Sequence, residues 1–232
     1  MVSAIVLAGG SGSRMKSDKA KQYMDLEGIP VVAHALKVFE TSLSVDEIVL
    51  VIRKEDLEYA RKELVERYAL SKVNTIVFGG KERFDSVWQG ILSTTGGAEN
   101  AGPSDILMIH DGARPFVTEE MIRASVEAAG KYGACTVAVP VKDTIKVVNE
   151  EGFGIETPDR STLYQVQTPQ TFRKQLIIEA HRRFRKEPRA GITDDTMLVE
   201  EYMQQRIYMV PGDYRNIKIT TPEDMVMAKA LL

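Results

Sequence analysis

Residues 3–23 read "SAIVLAGGSGSRMKSDKAKQY". An apolar run ends at Ala8 and gives way to glycines at 9, 10 and 12, then to two spaced cations, Arg14 and Lys21. Glycines at such a turn let backbone N–H groups approach a ligand and form an anion-binding concavity. The cations add the compensating charge that a phosphate needs beside N–H donors. No Gly-Lys-Ser/Thr follows, so this is not a Walker A loop. Met15 stands where the dinucleotide fingerprint has glycine or alanine. A plain turn remains the alternative for the glycines, one that the two cations disfavour.

A second chemical cluster is "HDGARPFV" (110–117), where Asp111 sits at the carboxyl end of an apolar run and Arg114 follows three residues later. Read alone, Asp111 could cap the turn that leads to the Thr118 helix. His110 reads as structural rather than as a base. The pair Asp194–Asp195 is open between paired metal-binding acids and a helix N-terminus. In "GGKERFDSVWQGI" (79–91), Lys81 and Glu82 read as solvated charges at a helix start.

These residues need a frame. Five nearly continuous apolar runs, at 4–8, 47–52, 74–78, 105–110 and 135–141, read as strands covered on both faces. Helical spacing lies between them: Val32, Ala35, Leu36 and Phe39, then Leu57, Ala60, Leu64 and Tyr68. Thr118 and Thr221-Pro222-Glu223-Asp224 are helix starts. The repeating order predicts an α/β fold with a doubly wound, mostly parallel sheet, in which ligands bind at the carboxyl ends of strands. From about 142 the pattern breaks. Two short β-prone pieces, Thr144–Val148 and Phe153–Glu156, predict a hairpin too small to bury itself, an arm at about 142–165 that packs on a second subunit.

The chain has 232 residues, 44% hydrophobic and 27% charged, with a net charge of −3, which argues against bulk nucleic-acid or membrane-surface binding. The single cysteine, Cys135, lies in an apolar run and reads as buried. No membrane-length apolar segment or signal sequence is visible, so a cytoplasmic protein is expected.

In order along the chain, "LAGGSGSRM", "KQY", "GGKERFDSVWQGI", "HDGARPFV", "PVKDTIK", "TPDRSTLYQVQTPQTF", "TDD" and "NIKITTPEDM" resemble the 2-C-methyl-D-erythritol 4-phosphate cytidylyltransferases, from about residue 3 to 231. The resemblance implies a Rossmann-like nucleotidyltransferase fold, a homodimer with exchanged arms, CTP as co-substrate, Mg²⁺ on the triphosphate and a polyol phosphate acceptor. By that pattern, Arg14 and Lys21 stabilise charge on the α-phosphate and leaving pyrophosphate, while Ala8, Gly9 and Gly10 give CTP backbone contacts. Gly80 and Ser86 contact the cytosine, Arg83 is a structural or loop-ordering residue, and Asp111 stands near Mg²⁺ or the substrate hydroxyls with Arg114 near the substrate. Arg160 and Lys218 hold the acceptor phosphate beside Thr144 and Thr168, with Thr144 and Arg160 coming from the neighbouring subunit. Lys218 could otherwise be an ordinary strand cation. The chain departs from the family at Ala20, which replaces a usual proline. Ribitol-5-phosphate cytidylyltransferases share fold and nucleotide, but "ERFDSVWQGI", "HDGARPF" and "PVKDTIK" favour the erythritol family. A catalytically silent nucleotide-binding protein would have no reason to keep Arg14, Lys21, Asp111, Arg160 and Lys218 together.

Overall fold

The computed structural model describes residues 1–10 and 20–232. The first strand, β1 (Val2–Leu7), is followed by a single turn at Lys21–Tyr23 and a small antiparallel pair, β2 (Asp25–Leu26) and β3 (Ile29–Pro30). Helix α1 (Val31–Thr41) leads to β4 (Glu47–Ile52), and α2 (Leu57–Tyr59), prolonged by a π-helical stretch at Ala60–Glu66, leads to β5 (Val73–Phe78). Then come α3 (Arg83–Ser93), β6 (Ile106–Asp111), α4 (Glu119–Tyr132) and β7 (Ala134–Pro140). The ribbon β8 (Val147–Val148) and β9 (Gly154–Glu156) precedes β10 (Tyr164–Arg173), α5 (Lys174–Lys186), α6 (Asp195–Met203), β11 (Tyr208–Pro211) and α7 (Pro222–Leu231).

Seven strands form one sheet in the order β11-β7-β10-β6-β1-β4-β5. All pairings are parallel except those of β10, which runs antiparallel to both β6 and β7. Along β1, Ala4 and Val6 point into one core with Leu36 and Phe39 of α1 and Met121 of α4, while Ile5 points into the other with Ile91, Ile177 and Leu198. Helices therefore cover both faces, as the unbroken apolar runs predict. Gly90 brings α3 unusually close to the sheet, since a Cβ there would lie 2.7 Å from Ile5 Cγ2. Thr118 caps α4 by accepting from the Met121 N–H, and Thr221 opens α7 in a reciprocal cap with Asp224. Cys135 is buried, and burial pushes its thiol up to about 12, so it is no nucleophile.

The five predicted strands are present within a residue or two of their expected bounds. The tenth strand was not expected. "YQVQTPQTF" reads as part of the polar arm, yet it sits between β6 and β7 with Gln167, Thr168, Gln170 and Thr171 buried. Its buried amides are satisfied by loops that only the fold brings near: Gln167 donates to the Asp213 carbonyl and Gln170 to Asp194. The ribbon itself is exposed throughout, with Phe153 at 67% and Ile155 at 65%. Among the described residues, no helix is long and apolar enough to cross a membrane.

Candidate active site

Leu7 and Asp111 are register partners on adjacent strands. The exits of β1 and β6 therefore lie side by side at the carboxyl end of the sheet, where the chain turns away in different directions. The turn after β6 is tight because Gly112 has no Cβ; one there would meet the Leu7 carbonyl at 2.8 Å and Val32 Cγ2 at 2.9 Å. A cavity of about 400 Å³ opens between these exits. Gly9, Gly10 and Lys21 form one wall, Gly80, Arg83 and Ser86 another, and Asp111 and Lys218 close it. A second cavity of about 250 Å³, lined by Arg114, Gln165, Gln167, Tyr214 and Asn216 among others, adjoins it and shares Lys218.

The segment "KQY" has a structural meaning that spacing did not reveal. Gln22 donates through Nε2 to the carbonyls of Ala8 and Gly10, at 2.6 and 3.1 Å, and Tyr23 donates to the Ala8 carbonyl at 3.3 Å. These bonds staple the two ends of the glycine segment together and leave Lys21 on the cavity wall. Ala20 holds φ −60°, inside the range that proline would impose, so alanine keeps Lys21 in register. Arg14 lies outside the described residues. Ala8, expected to contact nucleotide, does not line the cavity: its N–H donates to the Val51 carbonyl and its own carbonyl is taken by Gln22 and Tyr23. Gly9 and Gly10 remain as the backbone wall.

On the opposite side, Gly80 is held by its N–H donating to Ser86 Oγ, and Ser86 donates to the Glu82 carbonyl. A Cβ at Gly80 would fall 2.2 Å from Asp85 Cβ, so this tight turn admits only glycine. Glu82 and Asp85 form the reciprocal cap of α3. The helix start read from the sequence is thus real, and it carries Arg83 into the cavity wall.

Asp111 is the electrostatic centre. Lys218 Nζ donates to its Oδ2 at 2.7 Å, and Arg83 Nη2 stands 3.8 Å from Oδ1. Burial alone would raise the Asp111 carboxyl, but Arg83 and then Lys218 hold it far below the usual carboxylate range. It is an anion at every working pH. Lys218 is therefore not an ordinary strand cation. Asp194 and Asp195 are likewise resolved: Asp194 caps α6 by accepting from the Met197 N–H, and Asp195 pairs with Arg83 at 2.6 Å.

Thr168 lies behind the cavity rather than in it. His110 Nε2–H donates to the Arg114 carbonyl at 3.1 Å, so its Nδ1 accepts from the Thr168 hydroxyl, also at 3.1 Å. Thr168 Oγ1 in turn accepts the Asp111 N–H. Burial pulls His110 down to about 4, outweighing its bond to the Arg114 carbonyl and the charge of Asp111. A neutral, buried imidazole with both nitrogens engaged is a strut, not a base. The unfolded chain takes up this proton near pH 6.5 and the native state only near 4. Stability therefore falls as pH drops through that window, by up to about 3 kcal/mol from this one group. Asp111 and Asp195, both held low, contribute losses only below about pH 4. Denaturant melts of the substrate-free protein at pH 7.5, 6 and 5 check this: a flat profile down to pH 5 would exclude it.

Thr144 and Arg160 are not brought to either cavity of their own chain. Both are exposed, and Arg160 Nη1 donates to the Lys142 carbonyl at the base of the arm.

Among the described residues, no group of three or more His, Cys, Asp or Glu side chains could hold a metal ion alone. Asp111 Oδ1, with Arg83 beyond hydrogen-bond distance, fits a cation whose other ligands are phosphate oxygens and water, as is usual for Mg²⁺.

Residues 2–232 match the family described as IspD, 2-C-methyl-D-erythritol 4-phosphate cytidylyltransferase. The chain is 48% identical, over its full length and 99% of the relative, to the protein of that name from Lachnospira eligens. It is 46% identical, with the same coverage, to the one from Clostridium botulinum strain Eklund 17B. Among solved structures, 4-diphosphocytidyl-2C-methyl-D-erythritol synthase from Anaerococcus prevotii superposes with a TM-score of 0.83 at 34% identity, covering 99% of this chain and 94% of that one.

Proposed function

Because the chain belongs to the 2-C-methyl-D-erythritol 4-phosphate cytidylyltransferase family, it transfers CMP from CTP to that phosphate, giving 4-diphosphocytidyl-2-C-methyl-D-erythritol and pyrophosphate, and we propose that its two adjoining cavities divide the substrates between them. The observation that carries this division is Lys218, which borders both cavities while bonded to Asp111. CTP occupies the larger cavity, with its base toward Gly80 and Ser86 and its phosphates along Gly9, Gly10 and Lys21. Arg14, four positions after Gly10 and six before Ala20, lies outside the described residues, and its role on the same phosphates rests on the family resemblance alone. The acceptor phosphate occupies the smaller cavity, between Lys218 and Arg114.

In the reaction an oxygen of the acceptor phosphate forms a bond to the α-phosphorus of CTP, and the bond from that phosphorus to the bridging oxygen breaks. The electron pair leaves with pyrophosphate. The nucleophile is already an anion, so no proton must be removed, which agrees with the absence of any exposed base among His110 and its partners. What the protein must supply is alignment and positive charge, because two anions have to meet. Lys218 lies between them, and Lys21 meets the charge that grows on the leaving group. Bound Mg²⁺ would add neutralisation of the triphosphate, held on the protein side by Asp111.

The exposed apolar ribbon supports a homodimer in which each arm seats on the partner and brings Thr144 and Arg160 to the partner's acceptor cavity. A cytoplasmic location is part of the same reading, supported by substrates too highly charged to cross a membrane unaided. Pyrophosphate release from CTP, compared between 2-C-methylerythritol 4-phosphate and ribitol 5-phosphate, tests the reading of the acceptor cavity. Turnover is expected with the former; preference for the latter would overturn it.

A further inference from the structure

Helix α3 delivers Arg83 to the cavity from its first turn, and the guanidinium there faces two carboxylates. Nη1 donates to Asp195 Oδ2 at 2.6 Å, whereas Nη2 stands 3.8 Å from Asp111 Oδ1. The first contact is a short charge-assisted bond, and the second is outside hydrogen-bond reach. A guanidinium next to a carboxylate ordinarily closes into a two-pronged pair. Here it is drawn the other way.

The pull is built from two other helices. Asp195 is fully buried at the first position of α6, and its N–H donates to Gln170 Oε1. Its second oxygen faces His181 Nε2 of α5 at 3.5 Å. His181 is also fully buried, and neither of its ring nitrogens makes a well-formed hydrogen bond among the described residues, leaving the charge of Asp195 as the polar group that faces Nε2. Its ring stacks at 6.0 Å on Trp88 and meets Phe84 edge-on at 6.3 Å. Both rings belong to α3, the helix that carries Arg83. One helix thus presents the arginine and the aromatic lid that closes over the anchor.

We propose that Asp195, backed by His181, is a positioning residue that holds Arg83 off Asp111, so that Asp111 Oδ1 stays open toward substrate and its cation. Lys218 already occupies Oδ2. An unrestrained Arg83 would take Oδ1 as well, and the only buried carboxylate among the described residues of the cavity wall would be closed by two cations. The inference rests on the role given above to Asp111.

Asp195→Asn removes the charge that draws Arg83 and preserves the shape of the anchor. In a crystal structure of that variant, Arg83 Nη2 is expected within hydrogen-bond distance of Asp111 Oδ1. Its kcat is expected to fall about tenfold, with KM for CTP changed less than about threefold, because geometry rather than binding is lost. Should the variant fail to fold, Arg83→Met and the charge-neutral pair Arg83→Met/Asp195→Asn, which leaves no buried ion unpaired, carry the test. If Asp195 acts only through Arg83, adding Asp195→Asn to Arg83→Met changes kcat less than about twofold. An Arg83–Asp111 separation that stays at 3.8 Å, or a further tenfold loss in the pair, overturns the proposal. Asp111→Asn separates the premise: full activity there refutes the role of Asp111, whereas the distance in Asp195→Asn judges the anchor by itself.

Discussion

Replacing Lys218 by alanine is expected to lower kcat/KM by about two to three orders of magnitude, the cost of removing one preorganised charge from a site of developing negative charge. Lys218 is 39% exposed, so it is not needed to fill a core, and its side chain spans the boundary of two cavities. Its ammonium meets Asp111 at 2.7 Å, which fixes where the positive charge stands before either substrate arrives. Without it the acceptor phosphate meets CTP unshielded, and Asp111 loses its 2.7 Å partner, keeping Arg83 at 3.8 Å and the charge of Arg114. Both consequences oppose the approach of two anions. The kinetic signature is specific: kcat falls, and KM rises for CTP and for the acceptor together, because one group borders both. Steady-state pyrophosphate release with each substrate varied in turn measures it. A rise in only one KM with kcat intact would assign Lys218 to a single substrate and remove it from the reacting centre.

The parts of this site that were legible in the sequence are those whose chemistry is local. Glycines 9 and 10 after an apolar strand, with Lys21 downstream, mark one wall of the larger cavity from composition and order alone. The same is true of Asp111 at the end of β6 and of the caps at Thr118 and Thr221, which act within four residues. Illegible parts depend on contacts across long sequence separations. Arg83 and Asp195 are 112 positions apart, so "TDD" reads equally well as a metal pair or a helix cap. The fold splits the pair, giving Asp194 the cap and Asp195 the arginine. The strand β10 was missed for a related reason: its alternating glutamines and threonines look solvated until the loops that satisfy them are in place. Gln22 and Tyr23 carried a signal in the run after the loop, but only the return of that run onto the Ala8 carbonyl shows that they close the loop's ends. Thr168, expected as a polar contact beside the acceptor phosphate, instead lies behind the cavity with its hydroxyl spent between His110 and Asp111.

Mixing two nearly inactive variants, Arg160→Ala and Lys218→Ala, is expected to restore about a quarter of wild-type activity if the subunits exchange at random in a two-fold dimer. Arg160 and Lys218 belong to different parts of the chain, one on the exposed arm and the other at the cavity boundary. If each site combines one subunit's cavity with its partner's arm, a mixed dimer has one site with both residues intact and one with both missing. Half of all dimers are mixed, and half of their sites work. If Arg160 instead served its own chain, every site in a mixed dimer would lack one residue, and mixing would restore nothing. The exposed side chains of the ribbon favour the first outcome. Val148 is 58% exposed, and Phe153 and Ile155 are more so, on a two-stranded element that cannot bury them within its own chain. Co-refolding the two variants at equal concentration, with activity read as pyrophosphate release and assembly by sedimentation, separates the alternatives. Recovery near a quarter requires an exchanged arm, while a dimer that forms without recovery would leave the arm as a structural contact and remove Arg160 from the acceptor site.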